Sequence, residues 1–151
     1  MKIVLQVVRS ASVSIEGNEI SAIGKGFLLL VGFTKGDDIS LAKKMVDKVL
    51  KLRIFPDENG KTNRSLSDVN GQVLAVSQFT LYASCASGNR PSFVEAMPPE
   101  EARVLYDEFF SYMKERFPSL QGGVFQADMV VRLENDGPFT LVLDSKELFH
   151  S

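Results

Sequence analysis

The stretch QVLAVSQFTLY, residues 72–82, decides the fold that the sequence predicts. Residues 73–76 are all apolar, so both faces of an extended strand would be apolar at that point. Strands of this kind lie in the centre of a sheet and are buried on both faces. The predicted strand ends with three polar side chains, Ser77, Gln78 and Thr80. An unpaired buried polar group costs roughly 1–3 kcal/mol, so either the fold or a ligand must supply partners there.

Strands and helices are predicted on both sides of this central strand. Further strands are predicted over residues 2–8, 12–17, 19–24, 26–33, 123–134 and 139–145, and a short one from Arg53 precedes a turn-rich connection up to Gln72. Apolar residues at helical spacing predict helices over 36–52 and from Pro98 to Phe117. The tail 146–151 has no predicted structure. The pattern predicts one mixed α/β domain over residues 1–151, a twisted sheet or partly closed barrel with two main helices packed outside.

Composition excludes several classes of protein and site. The formal net charge of −2 argues against a protein that wraps a long nucleic-acid duplex. The only histidine is His150 and the only cysteine is Cys85, so neither a zinc site nor a histidine-based nucleophilic set is expected, and no metal or cofactor is predicted. The longest apolar run, residues 27–33, is too short for a membrane helix. A single cysteine and a poor signal-peptide pattern predict a cytoplasmic protein without membrane contact.

Two further motifs each leave two interpretations open. The stretch NDGPFT, residues 135–140, is typical of a hairpin turn, yet Pro138 removes a donor where the return strand begins. The Gly137–Pro138 bond is either cis or an ordinary trans turn. In GNRPSF, residues 88–93, Arg90 is either a phosphate-binding cation or a solvated surface residue.

Three motifs occur together in the order SQFTL, GNRPSF and NDGPFT. Two further stretches, SAIGKG and LRIFPDENGK, precede the first of them, and AMPPEEA lies between the second and the third. In these motifs, and over nearly its whole length, the chain resembles the D-aminoacyl-tRNA deacylases, also known as the D-tyrosyl-tRNA deacylase family. The resemblance implies a homodimeric, cofactor-free hydrolase of this fold. Its partner would be a tRNA acceptor end that carries a D-amino acid, and glycyl-tRNA would also be a substrate.

The resemblance also implies the site residues. The strand end would be catalytic through Ser77, Gln78, Phe79 and Thr80, with backbone N–H groups near Phe79 and Thr80 facing the ester carbonyl. Thr80 would act as a nucleophile or would position the substrate; without a histidine base, positioning is favoured. A cis Gly137–Pro138 step would enter the partner's pocket, hold the substrate ammonium and leave no room for an L side chain. The implied substrate-binding residues are Gly137, Pro138, Asn135, Phe139, Thr140, Arg90 and Met129.

The sequence departs from the family pattern near its N-terminus. The family typically has arginine after the glutamine that matches Gln6, near the Gly-Pro element, and this chain has Val7; Arg9 is a candidate substitute. Phe139 follows Pro138 where the family often has valine. Two alternatives stay open: a related tRNA-editing esterase of relaxed or opposite chirality, and a non-catalytic dimeric RNA-binding or replication-associated protein.

Overall fold

A computed structural model describes residues 1–150 of the chain. The helices are α1 (Ile39–Lys51), α2 (Pro99–Arg116) and α3 (Ser145–Phe149), and a 3-10 turn covers Phe79–Tyr82. The strands are β1 (Lys2–Ile15), β2 (Asn18–Ile23), β3 (Gly26–Gly32), β4 (Arg53–Pro56), β5 (Thr62–Ser65), β6 (Gln72–Ser77), β7 (Gln121–Gly122) and β8 (Val130–Asp144). The main sheet has the order β2-β1-β3-β6-β7, with β8 paired to β1, while β4 and β5 form a separate hairpin. No helix within residues 1–150 is long and apolar enough to cross a membrane.

The central strand β6 is buried on both faces, as the sequence predicts. It runs parallel to β3 on one side and to the short β7 on the other. Val73 and Ala75 belong to the main core, which includes the buried faces of α1 and α2, whereas Leu74 and Val76 pack into a second cluster on the opposite face. Both predicted helices are present, and their buried positions have the expected spacing. The predicted mixed α/β architecture is confirmed.

The predicted strand over residues 72–82 is too long, because β6 ends at Ser77. The Gln78 N–H still donates to the Val31 carbonyl at 2.7 Å, and the chain then curls into the 3-10 turn. Gly32 makes this turn possible, since a Cβ at that position would lie 2.8 Å from the Gln78 carbonyl oxygen. Ser77 therefore ends β6, while Gln78 and Thr80 lie in the turn that leaves the sheet.

Two further predictions about strands are wrong. β1 is one continuous strand where two were expected, because its length pairs with β8 from Lys2 to Ser14. β8 is likewise continuous through the expected 135–140 turn: Thr140 pairs with Gln6 and Asn135 with Val8, so residues 136–139 form a bulge. Long pairing with one partner strand keeps both chains extended across local turn signals. Residues 123–129, predicted as strand, have no strand structure.

Sequence reasoning also missed three short elements. β5 pairs with β4 inside the supposed turn-rich connection, and β7 adds two residues beside β6. The unassigned tail contains α3, whose first turn is capped by Asp144 accepting from the Lys146 N–H at 3.0 Å. Elements of two to five residues carry too little periodicity to be read from sequence.

Tyr106 of α2 anchors that helix to β6. Its hydroxyl donates to the Ala75 carbonyl at 3.1 Å, and burial raises the pKa of Tyr106 well above its usual range, so the donor stays protonated. Because this bond is buried, we expect Tyr106→Phe to lower the free energy of unfolding by about 1 kcal/mol, or about 2–4 °C in Tm. Thermal unfolding measures this, with Tyr82→Phe as the control, since the Tyr82 hydroxyl forms no hydrogen bond within residues 1–150. Equal Tm values for Tyr106→Phe and wild type would contradict the prediction.

Candidate functional site

A cavity of about 620 Å³ opens at the end of β6. Its walls come from the ends of β3 and β6, from residues 93–99 before and at the start of α2, and from the segment 125–131 that leads into β8. Ser77, Gln78 and Phe79 line it directly. Most of the remaining wall is apolar, as is usual for a pocket that holds a small organic group.

The polar residues at the strand end obtain their partners locally or from the cavity. The Gln78 side-chain amide donates to the Thr80 hydroxyl oxygen at 2.5 Å. Ser77 is half-buried and its side chain borders the cavity, and within residues 1–150 no fully buried side-chain polar atom lacks a partner. Thr80 itself is exposed and does not line the cavity wall. The fold therefore satisfies Gln78 and Thr80 and leaves Ser77 available to a ligand.

Two backbone donors follow the strand end without an acceptor. Within residues 1–150, the N–H groups of Phe79 and Thr80 form no hydrogen bond, because they begin the 3-10 turn. The neighbouring N–H of Gln78 is used by β3, and that of Leu81 donates to the Gln78 carbonyl at 3.3 Å. Adjacent N–H groups of this kind are suited to bind a negatively charged oxygen.

An exposed aromatic pair stands at the cavity. Phe79 and Phe93 are 55% and 46% exposed, their ring centroids lie 5.3 Å apart, and both line the cavity. Large exposed rings next to a pocket favour the binding of a flat ligand group such as a nucleobase. Phe93 is the last residue of the GNRPSF motif, and the sequence alone did not indicate its role. Its position directly after the loop that carries Arg90 was the available signal.

The cavity wall contains one carboxylate, that of Asp128, and no histidine. Met129, an expected binding residue, lines it, but the only histidine lies at position 150. Burial is the main cause that raises the pKa of Tyr82 well above its usual range, so this nearby phenol stays protonated at neutral pH. Residues 1–150 contain no group of three side chains arranged to hold a metal ion. The groups that this site offers for chemistry are backbone N–H groups, hydroxyls and the Asp128 carboxylate.

Arg90 lies apart from the cavity. It is exposed in the loop 84–92, whose ends are bridged through Ser84 and Ser92, and it does not belong to the cavity wall. The loop leads directly into Phe93, so Arg90 stands beside the cavity entrance in sequence rather than inside it.

The Gly137–Pro138 step forms the exposed tip of the bulge in β8. The peptide bond is cis, as the resemblance implies, and both residues are exposed. Asn135 shapes the bulge, because its side-chain amide donates to the carbonyls of Val7 at 2.9 Å and Phe139 at 3.1 Å. The tip does not line the cavity of its own chain. The two motifs expected to act together are thus separate within one chain.

The missing arginine is replaced by other contacts around the bulge. Val7 is buried in the main core, and Arg9 instead reaches Asp136 with its Nε atom 3.6 Å from Oδ1. Gln6 donates to the Thr140 hydroxyl at 3.1 Å on the other side of the bulge. The bulge is therefore braced by Asn135, by the Arg9–Asp136 ion pair and by Gln6.

The sequence of this chain is similar to one family of known proteins over nearly its whole length. A family model described as D-Tyr-tRNA(Tyr) deacylase matches residues 4–144. A D-aminoacyl-tRNA deacylase of Lactobacillus acidophilus is 56% identical over 144 residues, which cover 95% of this chain and 99% of that protein. The corresponding protein of Clostridium novyi is 50% identical over 149 residues, covering 99% and 100%.

Two solved structures have the same fold. One, described as c-Myc DNA Unwinding Element Binding Protein, is 41% identical with a TM-score of 0.90 and covers 95% of this chain and 98% of its own. The other is described as a probable eukaryotic D-amino acid tRNA deacylase, with a TM-score of 0.83 over 94% and 97% of the two chains; at 16% identity it supports the fold alone. With a family model that spans most of the sequence and relatives of 50% identity or more over its length, the chain belongs to the D-Tyr-tRNA(Tyr) deacylase family.

Proposed function

We propose that the protein hydrolyses the ester bond of D-aminoacyl-tRNA and releases the free D-amino acid and tRNA. The observation that carries this function is the cavity at the end of β6, which Phe79 and its ring partner Phe93 line, together with the unpaired backbone N–H groups of Phe79 and of Thr80 directly after it. An aminoacyl ester needs a binding site for the terminal nucleoside and donors for the oxygen that becomes negative. The aromatic pair and the backbone donors at the end of β6 supply these two elements.

The backbone N–H groups of Phe79 and Thr80 bind the developing oxyanion. Water attacks the ester carbonyl carbon, the carbonyl oxygen becomes negatively charged, and the bond to the ribose oxygen then breaks. The neighbouring ribose hydroxyl relays the proton from the attacking water to the leaving ribose oxygen. Donors fixed in advance by the fold cost no reorganisation in the transition state, and losing one typically costs about 2.7–4 kcal/mol.

Thr80 positions the substrate and is not the nucleophile. A threonine hydroxyl needs a base to remove its proton before it can attack a carbonyl. Its recorded neighbour is the Gln78 amide, which donates a hydrogen bond to it and cannot accept a proton. Thr80→Ala should therefore retain much of the turnover.

The aromatic pair Phe79–Phe93 receives the terminal adenine. Base–aromatic stacking contributes about 1–3 kcal/mol per base, which is enough to hold the nucleoside at the mouth of the cavity. The ester linkage then reaches Ser77 and the backbone donors beyond the rings. The sequence-predicted residues Ser77, Gln78, Phe79 and Met129 take part from within this cavity.

Chirality is read by the exposed Gly137–Pro138 step of a second subunit. β8 pairs only with β1 within residues 1–150, and its surface carries exposed Val130, Leu133 and Val142, which supports a homodimer built on this strand. The carbonyl oxygens of Gly137 and Pro138 then hold the substrate ammonium in the partner's cavity. An L side chain would collide with this backbone, and a D side chain points away from it.

The chirality of the substrate provides the direct test. We expect rapid release of amino acid from D-tyrosyl-tRNA and none above background from L-tyrosyl-tRNA in a deacylation assay. Glycyl-tRNA, whose amino acid has no side chain to exclude, is expected to be a slower substrate. Equal rates on both enantiomers would support an editing esterase of relaxed chirality, and faster release of L-tyrosine one of opposite chirality.

A nucleic-acid-binding role without catalysis is the second candidate, favoured by the description of one similar structure as a DNA unwinding element binding protein. The net charge of −2 gives little general attraction to a duplex. Tight nucleic-acid binding with no turnover of any aminoacyl ester would establish that role.

We place the enzyme in the cytoplasm, because its exposed free thiol, Cys85, suits a reducing compartment.

Gly32 supplies a further prediction about positioning. A Cβ there would meet the Gln78 carbonyl at 2.8 Å and the Leu81 Cβ at 3.1 Å, so Gly32→Ala must displace the turn that carries the donors. We expect kcat to fall by about 10–100-fold while KM changes little, because small misplacements of catalytic groups are costly.

Gly24→Ala is the matched control, since its added Cβ would meet only the Gln72 side chain, at 3.4 Å. Steady-state kinetics on D-tyrosyl-tRNA separates the two variants. Wild-type kcat in a folded Gly32→Ala protein would contradict the role given to the turn.

A further inference from the structure

A second cavity, of about 420 Å³, lies beside the candidate active site. Its lining includes three lysines from different parts of the chain, Lys35, Lys44 and Lys146, here called the lysine cluster. All three are exposed. Lys35 precedes α1, Lys44 lies on α1 and Lys146 on α3, so the fold brings together positive charges that are distant in sequence.

The positive charges of the lysine cluster outnumber the negative charges in the same cavity, where Asp37 is paired with the Met1 ammonium and only Asp38 remains to offset three lysines. No ammonium group of the cluster lies within 4.0 Å of a carboxylate in the part of the chain from 1 to 150. The two carboxylates in the cavity have other partners: Asp37 pairs with the Met1 ammonium at 2.8 Å and accepts from the Thr34 N–H, and Asp38 accepts from the Leu41 N–H. In a chain of net charge −2 this is a local positive site.

One segment of the chain runs from the first cavity to the second. Residues 32 and 33 line the active-site cavity, and residues 34 and 35 directly after them line the second one. Three residues span at most about 11 Å, so Lys35 lies within that backbone distance of Gly32. The ammonium of Lys2 lies 4.8 Å from the centroid of the Tyr82 ring, at the end of the 3-10 turn. A lysine therefore lies next to the 3-10 turn, and another, Lys35, lies a few residues beyond the wall of the active-site cavity.

We propose that the lysine cluster binds backbone phosphates of the tRNA strand whose last nucleoside enters the active-site cavity. The inference rests on the proposed function, which puts that nucleoside at Phe79 and Phe93. Lysine ammonium groups bind phosphates as point charges and fix the register of a nucleic acid without reading its sequence. The lysine cluster therefore raises affinity for tRNA irrespective of the amino acid that it carries.

The test is a triple variant, Lys35→Gln, Lys44→Gln and Lys146→Gln, assayed on D-tyrosyl-tRNA over a range of salt concentrations. We expect KM to rise roughly tenfold at low salt with kcat nearly unchanged. The slope of log KM against log salt should become shallower by about 2–3, since each lost phosphate contact removes close to one unit. Restoring the charge as three arginines should restore KM and slope.

Two controls separate this effect from a general loss of charge or of activity. A matched variant with Lys48→Gln, Lys51→Gln and Lys61→Gln removes the same charge from exposed lysines outside the cavity and should keep wild-type KM. D-tyrosyl-adenosine, which has no phosphate, should be hydrolysed equally by wild type and the lysine-cluster variant.

The outcomes distinguish the two proposals. If D-tyrosyl-adenosine is cleaved but the lysine-cluster variant keeps the wild-type KM and slope for tRNA, the phosphate site is wrong and the proposed function stands. If neither substrate is cleaved by wild type, the proposed function itself is wrong. If millimolar inorganic phosphate stabilises wild type but not the variant, with KM for tRNA unchanged, the cluster is a small-anion site and the proposal fails.

Discussion

Phe79→Pro is expected to lower kcat on D-tyrosyl-tRNA by about 10²–10³-fold more than Phe79→Ala does. Both variants lose the aromatic ring, but only proline also removes the backbone N–H that we assign to the oxyanion. Phe79 is the first residue of the 3-10 turn, a position that tolerates proline because its N–H has no partner inside the turn. Gln78 before it is already outside the helical region, at φ −148° and ψ 85°.

The comparison between the two variants isolates one hydrogen-bond donor. Circular dichroism and thermal unfolding should show that both retain the fold, and single-turnover kinetics then measures the chemical step. The ring itself is expected to act mainly on KM, through stacking with the terminal adenine. Equal kcat values for Phe79→Pro and Phe79→Ala would exclude this N–H as an oxyanion donor.

Gly137→Leu is expected to abolish turnover of D-tyrosyl-tRNA, with a loss of at least about 10²-fold, while the fold is retained. Within its own chain, a Cβ at this position would meet only the Asn135 side-chain oxygen, at 3.7 Å. A larger side chain therefore has space on the exposed bulge and collides only when the bulge enters another subunit's cavity. Unchanged Tm and unchanged dimer mass, measured beside the kinetics, are the controls.

Mixing two inactive variants tests which subunit supplies the glycine. If Gly137 acts in the partner's cavity, a hybrid dimer of Phe79→Pro and Gly137→Leu chains has one site with both defects and one intact site. Random exchange of subunits should then restore about a quarter of the wild-type activity, as two-fold symmetry requires. If the glycine acts within its own chain, the mixture stays inactive and the proposed exchange between subunits is wrong.

The central part of the fold could be predicted because its signals are local. All four residues 73–76 are apolar, which identifies a strand that is buried on both faces. The helices α1 and α2 have apolar residues at regular helical spacing. The continuity of β8 could not be predicted, because the Asp136–Gly137–Pro138 sequence signals a turn. Pairing with β1 on both sides of the bulge overrides that signal, and such pairing is a long-range property.

The candidate site was predictable to the extent that it is contiguous in sequence. Ser77, Gln78 and Phe79 follow a recognisable strand and do line the cavity. Phe93 and Gly32 come from other segments, and only the folded chain shows that one ring meets Phe79 and that the glycine lets the turn approach β3. The strand was predicted to continue through Tyr82 because the alternation of side chains persists there, although the backbone has already turned.

The unpaired amides after β6 have an implication for how this protein can change over evolutionary time. Nineteen of the twenty standard amino acids present the same main-chain donor, so substitutions at positions 79 and 80 keep the backbone N–H donor and change only the side chains around it. Replacements at these two positions should therefore alter substrate binding more than the chemical step that we assign to the main chain, while Gly32, where a single methyl group already forces the chain to move, tolerates far less.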